Sequence, residues 1–163
     1  MVRNPDYIHI NSDAALGDNC RLFCTDSYLG KPTNVKGIFI GKNFHATRNL
    51  TIQCAGTVRI GDNVLIASDV FIIDYNHGLS PLKDSYLDNE LEIKNVIIED
   101  GCWIGNSVII LPGVKIGKKS IIGAGAVCSK DIPDYSMAVG NPVKIIKKFD
   151  QNKKIWVPIS SRE

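Results

Sequence analysis

The most regular feature of the chain is a hydrophobic position that recurs every six residues in its C-terminal half. Neither an α-helix nor an ordinary alternating strand has this period. A second, mostly small inward position follows four residues later. The two series are Ile98, Ile104, Ile110, Ile116, Ile122 and Cys128, and Cys102, Val108, Val114, Ser120, Ala126 and Ile132. Gly105, Gly117 and Gly123 follow three of the anchors, where we expect a tight corner to need positive φ.

Shorter runs with the same spacing occur in the N-terminal half. They comprise Ile10, Leu16 and Leu22, then Ile40, Ala46, Ile52 and Val58 three hexads further on, and, after a slip of two residues, Ile60, Ile66 and Ile72. A chain that turns every six residues and returns to the same face after three corners builds a parallel β-helix. We therefore predict one all-β domain over residues 1–163, with coils at about 8–73 and 96–140.

The repeat is interrupted once, by a segment at about residues 74–95. This segment is polar and too irregular for two more coils. A loop that protrudes from a rigid solenoid is a common location for functional residues. It contains one of the three histidines of the chain, His77, within the motif DYNHG. The interruption is therefore the predicted location of the active site.

Five short motifs follow one another in the C-terminal third of the chain, in the order WIG, PGVKIG, GAG, SKDIP and GNP. Together with DYNHG, they resemble the hexapeptide-repeat acetyltransferases, and among these the sugar O-acetyltransferases of bacterial surface-polysaccharide biosynthesis. The resemblance covers nearly the whole chain. It implies a left-handed parallel β-helix that assembles as a homotrimer, with active sites between subunits and acetyl-CoA as co-substrate.

The resemblance also assigns roles to particular residues. A sugar hydroxyl is a poor nucleophile until its proton is removed, and imidazole suits that task, so His77 is the candidate general base. Asp74 and Asn76 are close enough in the chain to orient the ring or contact the sugar, although both are also ordinary turn residues. The positions that match coenzyme A contacts are Asn106, Ala124, Ser129, Lys130, Lys144 and Lys147. The lysines would face the phosphates or, alternatively, form a solvated basic tail.

Net charge, apolar runs and cysteine spacing give no indication of a nucleic-acid-binding, membrane-spanning or disulfide-rich protein. A formal net charge of +2 gives no reason to expect a nucleic-acid partner. No apolar run reaches the roughly 18 residues of a spanning helix, so we expect no integral membrane segment. The first residues lack the apolar region of a secretory signal, so we expect a cytoplasmic protein. Five cysteines without a CxxC pair argue against a disulfide framework or a thiolate metal site.

The segment after GNP predicts a short amphipathic helix followed by a tail, together at residues 143–163. Pro142 favours a helix start at this point, and apolar residues are interspersed with lysines in the sequence VKIIKKF. The predicted architecture is thus a β-helix with one protruding loop and a C-terminal helix or tail.

The function predicted from these features is acetyl-CoA-dependent O-acetylation of a saccharide hydroxyl by direct transfer. The acceptor would be a surface polysaccharide, a lipopolysaccharide or a capsule precursor. A close alternative is N-acetylation of a nucleotide-linked amino sugar. A metal enzyme resembling the γ-class carbonic anhydrases would need three histidines around zinc, and the interrupted segment has one. A non-catalytic assembly protein would leave His77 and the lysines unexplained.

Overall fold

The computed structural model describes residues 1–159, and residues 160–163 of the predicted domain and tail lie outside the described residues. The regular secondary structure of the described chain consists almost entirely of short strands. The described chain has 3-10 turns at Pro5–Tyr7 and Tyr86–Asp88. The strands before the interruption are β1 (Val2–Arg3), β2 (Ile8–Ile10), β3 (Ala15–Asp18), β4 (Arg21–Cys24), β5 (Ser27–Tyr28), β6 (Lys31–Pro32), β7 (Gly37–Ile40), β8 (His45–Arg48), β9 (Thr51–Cys54), β10 (Thr57–Ile60), β11 (Leu65–Ile66) and β12 (Phe71–Ile73). The later strands are β13 (Tyr75–His77), β14 (Leu91–Ile93), β15 (Val96–Ile98), β16 (Trp103–Ile104), β17 (Ile109–Ile110), β18 (Lys115–Ile116), β19 (Ile121–Ile122), β20 (Val127–Cys128), β21 (Ser136–Val139), β22 (Lys144–Asp150) and β23 (Ile155–Pro158).

Three sheets form the walls of the solenoid. Sheet A contains β1, β4, β9, β12, β17 and β20, sheet B contains β2, β7, β10, β15 and β18, and sheet C contains β3, β8, β11, β16, β19 and β21, with β22 and β23 at its end. Pairing between successive coils is parallel, so that Ile60 lies between Ile40 and Ile98. Each coil runs through sheets B, C and A in turn. The structure is the predicted left-handed parallel β-helix.

We name the three edges of the solenoid B/C, C/A and A/B after the sheets that meet there. The predicted hexad anchors point into its interior. Ile52, Ile72 and Ile110 stack on one another in sheet A and are fully buried. Burial of each such side chain contributes about 1.5–3 kcal/mol to folding. Ile10 differs, with 42% of its surface exposed, because β2 is the end strand of sheet B.

The glycines that follow the anchors allow close packing between coils. A Cβ atom at Gly117 would lie 2.4 Å from the backbone nitrogen of Asp134 in the next coil. The left-handed φ angles of these corners occur two residues later, at Ser107 and Lys119 (both φ 56°) and at Gly125 (φ 69°). The expectation that the glycine directly after an anchor supplies positive φ is therefore wrong.

Two hairpins leave the solenoid at the A/B edge. Hairpin 1, residues 25–36, contains the antiparallel pair β5 and β6, and hairpin 2, residues 74–95, contains the antiparallel pair β13 and β14. The sequence predicted only hairpin 2. Leu22 and Ile40 are 18 residues apart, against 6 for a plain corner, so hairpin 1 adds 12 residues. Because this is two whole hexads, the frame of the repeat continues unchanged across it.

The segment after GNP forms a strand, so the prediction of a C-terminal helix is wrong. β22 pairs antiparallel with β21, placing Lys144 opposite Val139, and β23 pairs antiparallel with β22. Exposed and partly buried residues alternate along most of β22, which is the period of a strand. The β-branched residues Ile145 and Ile146 favour this conformation, and the edge of β21 supplies backbone partners for it.

The five cysteines carry free thiols. Four of them, at 24, 54, 102 and 128, are buried. Burial raises the pKa of Cys102 to about 11 and that of Cys128 to about 12, so both thiols stay protonated near neutral pH. Their predicted role as small core residues is confirmed. In residues 1–159, no helix is long and apolar enough to cross a bilayer.

Candidate active site

Hairpin 2 is held at its base by the buried side chain of Asp74. One carboxylate oxygen accepts a hydrogen bond from the backbone N–H of Ala55 at 2.7 Å, and the other accepts from Gly56 at 2.9 Å and from the thiol of Cys54 at 3.3 Å. Burial raises the pKa of Asp74, and the backbone hydrogen bonds oppose that rise. Asp74 therefore joins the start of the hairpin to the corner after β9.

These contacts correct one expectation about the candidate catalytic residues. Asp74 was predicted to orient the imidazole of His77 or to contact the sugar. Instead, both of its oxygens bind the corner of the solenoid, and the side chain is fully buried. A carboxylate without solvent exposure and with these partners stabilises the hairpin base rather than binding an acceptor.

His77 is the last residue of β13 and pairs with Leu91 on the other strand of hairpin 2. Its ring is partly buried. Asn76 is exposed, and because successive side chains of a strand point to opposite faces, it projects from the face opposite to His77. The structure therefore separates the two residues that the sequence grouped with each other.

The side chain that contacts the imidazole comes from hairpin 1. The hydroxyl of Tyr28 lies 3.1 Å from Nδ1 of His77, and the two rings meet edge to face with centroids 5.4 Å apart. The same hydroxyl donates to the backbone carbonyl of Leu87. The sequence analysis missed Tyr28, which lies 49 residues before His77 in the chain. The signal that could have found it is the polar stretch TDSYLGKPTN, which has no inward anchor.

The two hairpins also meet through a salt bridge. Lys31 Nζ lies 2.5 Å from Glu90 Oε1, and this hydrogen-bonded pair lowers the pKa of Glu90 and raises that of Lys31. Both side chains are at least 70% exposed, so water screens the attraction and its net contribution to stability is small. Tyr28, Lys31, Thr33, Glu90 and Leu91 line a cleft of about 130 Å³ between the hairpins.

Two of the predicted coenzyme A contacts lie at the same edge as His77. Ser129 and Lys130 directly follow β20 and are exposed at the A/B edge. In sheet A, β20 is two strands away from β12, which leads into hairpin 2. At the strand spacing of a sheet, this corresponds to about 10 Å along the solenoid axis. An extended ligand that runs along this edge can therefore reach both regions.

The other four predicted contacts lie elsewhere on the protomer. Asn106 and Ala124 occupy the C/A edge, where the side-chain carbonyl of Asn106 accepts a hydrogen bond from the backbone N–H of Ser68 at 3.0 Å. This bond leaves the amide N–H₂ group of Asn106 available as a donor. Lys144 and Lys147 lie on β22 in sheet C. A single protomer therefore distributes the six residues over two edges and one strand of sheet C.

The chain is similar to known acetyltransferases. A model of the family described as bacterial transferase hexapeptide (six repeats) matches residues 95–130. The chain is 42% identical to galactoside O-acetyltransferase of Escherichia coli K12, over 72% of the chain and 57% of the relative. It is 33% identical to "Putative lipopolysaccharide biosynthesis O-acetyl transferase WbbJ" of the same organism, over 96% of the chain and 82% of the relative.

A solved structure supports the same relationship. A galactoside acetyltransferase in complex with coenzyme A superposes with a TM-score of 0.67 at 36% sequence identity, and the match covers 89% of the chain and 70% of that structure. The chain spans little more than half of the Escherichia coli galactoside enzyme but most of WbbJ.

Proposed function

Because the chain belongs to the hexapeptide-repeat transferase family, we propose that it is an acetyl-CoA-dependent O-acetyltransferase that acts on a hydroxyl of a saccharide. The observation that carries this proposal is the position of His77, which lies on a hairpin that leaves the A/B edge, with Ser129 and Lys130 further along the same edge. We infer that the acceptor is a surface polysaccharide, a lipopolysaccharide or a capsule precursor, as the name of WbbJ suggests.

The proposed reaction is a direct transfer with one base. The imidazole of His77 accepts the proton of the acceptor hydroxyl while the hydroxyl oxygen attacks the thioester carbonyl of acetyl-CoA. The resulting tetrahedral oxyanion collapses with cleavage of the carbon–sulfur bond. The acetyl ester and the coenzyme A thiolate are the products, and a thiol with a pKa of about 8.5 is a good leaving group. The proton on His77 then returns to the thiolate or to solvent.

We propose that the donor groove lies between protomers of a homotrimer. Asn106 and Ala124 lie at the C/A edge, whereas His77 extends from the A/B edge, so a groove between neighbouring copies can combine both sets. Exposed apolar side chains on the outer faces support burial against another copy: Leu65 is 43% exposed, Trp103 is 50% exposed and Ile109 is 36% exposed. In this arrangement Lys130, Lys144 and Lys147 provide charge for the phosphates of coenzyme A.

The decisive experiment compares His77→Ala with His9→Ala. Thiol release from acetyl-CoA is measured with a panel of saccharide acceptors, and coenzyme A binding is measured by thermal shift. We expect His77→Ala to lose about a hundredfold or more in turnover while it retains coenzyme A binding. His9 stacks on Phe39 on sheet B and serves as the matched control, which should keep its activity.

Turnover of His77→Ala within about tenfold of the wild-type rate would contradict the role of His77 as the base. If saturating coenzyme A does not stabilise the wild-type protein, the acetyltransferase proposal itself is wrong, because a ligand that binds the folded state must raise the melting temperature. The acceptor that supports the fastest thiol release identifies the saccharide.

A further inference from the structure

The hydroxyl of Tyr28 bridges the imidazole of His77 and the backbone of hairpin 2. It lies 3.1 Å from His77 Nδ1 and 2.5 Å from the carbonyl oxygen of Leu87. A backbone carbonyl can only accept a hydrogen bond, whereas a phenol has a single hydrogen to donate. The Tyr28 hydrogen therefore points to Leu87, and the hydroxyl oxygen presents its lone pairs to the histidine.

This arrangement determines which imidazole nitrogen carries the proton. Since the Tyr28 oxygen can only accept from His77, Nδ1 must be the nitrogen that bears hydrogen. In a neutral imidazole, the other nitrogen, Nε2, then keeps an unshared pair. A general base needs that free pair, and the ring with hydrogen on Nε2 would have none at that position.

We propose that Tyr28 is a positioning residue that holds His77 in the Nδ1–H form, with Nε2 free to accept the proton of the acceptor hydroxyl. This inference rests on the proposed function, because it gives Tyr28 a role in the same reaction. When His77 becomes an imidazolium, both ring nitrogens bear hydrogen, so the bond from Nδ1 to Tyr28 persists throughout the proton transfer. Tyr28 therefore supports the base before and after it accepts the proton.

Hairpin 1 holds Tyr28 in this position through its own hydrogen bonds. The hydroxyl of Thr33 donates to the carbonyl of Thr25 at 2.6 Å, and the backbone N–H of Thr33 donates to Asp26 at 2.9 Å. These bonds close the hairpin at its base. At its tip, Lys31 binds Glu90 of hairpin 2. The ring of Tyr28 is thus placed by contacts at both ends of the hairpin.

The neighbouring tyrosine does not compete for this role. Tyr75 projects from the same face of β13 as His77, because the two residues are two positions apart in a strand. Its hydroxyl donates a hydrogen bond to the side-chain carbonyl of Gln53 at 3.2 Å. The contact with His77 Nδ1 therefore belongs to Tyr28.

Nitrogen NMR of the histidine side chains tests the proposal directly. The protein has only three histidines, so ¹⁵N-histidine labelling gives six ring nitrogens, which can be assigned with His9→Ala and His45→Ala. At pH of about 8, where an ordinary imidazole is neutral, we expect wild-type His77 to carry hydrogen on Nδ1. In Tyr28→Phe, we expect this preference to be lost. A wild-type spectrum with hydrogen on Nε2 would overturn the proposal whether or not the enzyme is active.

Kinetics supply the second readout. We expect Tyr28→Phe to lower kcat by about tenfold to a hundredfold with little change in the KM for acetyl-CoA, because the variant disturbs the base and leaves the donor groove intact. Tyr135→Phe removes the same hydroxyl from a partly buried tyrosine at the B/C edge and should keep wild-type kinetics. Wild-type kcat in Tyr28→Phe would overturn the positioning role.

The two proposals can fail separately. If His77→Ala is active, the proposed base is wrong and Tyr28 has no base to position, even when His77 carries its hydrogen on Nδ1. If His77→Ala is inactive while Tyr28→Phe behaves as wild type, the acetyltransferase proposal stands and the role of Tyr28 is refuted.

Discussion

Asp74 and His77 are three residues apart in the chain but have very different surroundings. Asp74 is fully buried, and its oxygens accept hydrogen bonds from the corner after β9. His77 lies on a hairpin that leaves the solenoid, is partly buried, and contacts the partly buried Tyr28 of the other hairpin. A buried carboxyl group that accepts backbone N–H bonds contributes to structure, whereas an accessible imidazole can exchange protons with a substrate.

Replacement of Asp74 with Asn should change how stability depends on pH. Burial raises the folded-state pKa of this carboxyl above its ordinary value of 3.8. At pH values between the ordinary and the raised pKa, the folded state keeps a proton that the unfolded state has released. The free energy of unfolding contributed by Asp74 therefore falls as pH rises through that window. The Asn side chain does not titrate, so the free energy of unfolding of the variant does not fall with pH for this reason.

Urea unfolding followed by circular dichroism, at pH values from about 3.5 upward, measures this effect. We expect the free energy of unfolding of the wild type minus that of Asp74→Asn to decrease with increasing pH. A difference that stays constant, or that grows with pH, would show that the folded environment does not raise the pKa of Asp74.

At the scale of elements, the coil corners determine how closely successive coils stack. The space available for a Cβ atom differs greatly between glycines of these corners. At Gly117 such an atom would lie 2.4 Å from the backbone nitrogen of Asp134, whereas at Gly125 nothing lies within 4 Å. Gly125 instead has a left-handed φ of 69°. One glycine is required by packing and the other by backbone conformation.

Alanine substitution should distinguish these two requirements. Gly117→Ala forces neighbouring backbones apart, so we expect it to lower the free energy of unfolding by about 3 kcal/mol or more. Gly125→Ala incurs only the left-handed φ penalty of about 1–2 kcal/mol. Chemical denaturation of both variants provides the measurement. Equal losses would mean that the coils adjust to the added methyl group at Gly117.

At the scale of the whole molecule, the candidate donor residues are too dispersed to form one groove on a single protomer. Ser129 and Lys130 lie at the A/B edge with His77, whereas Asn106 and Ala124 lie at the C/A edge. Sheet A separates the two edges. The proposed trimer solves this problem because each groove can take one edge from each of two neighbouring copies.

Co-expression of two inactive variants tests this arrangement. His77→Ala removes the base at one edge, and Ala124→Trp blocks the exposed C/A edge at the other. If each site uses two protomers, about a quarter of the sites in randomly mixed trimers have both intact edges. We therefore expect about a quarter of wild-type turnover from the mixture and almost none from either variant alone. An inactive mixture of assembled trimers would place the complete site within one protomer.

The solenoid itself was predictable because its repeat is local. Each hexad contains its own inward residues, so Ile104, Ile110 and Ile116 identify three walls of a coil without knowledge of distant contacts. The position of hairpin 2 was equally visible, since the anchors on either side of it, Ile72 and Ile98, are 26 residues apart, which is not a multiple of six. Hairpin 1 remained hidden because its 12 extra residues keep the frame, and β22 was mistaken for a helix because its partner strand lies outside the segment.

By itself, the sequence determined the coil, its buried stack and the presence of His77 beside an interruption, since all three depend on residues close in the chain. Only the tertiary structure decided what surrounds His77. Tyr28 reaches the ring from 49 residues away because hairpins 1 and 2 leave the same edge of the solenoid, and Asp74, a near neighbour in sequence, turns to the core. Long-range approach of this kind depends on how coils stack, which a local repeat does not encode.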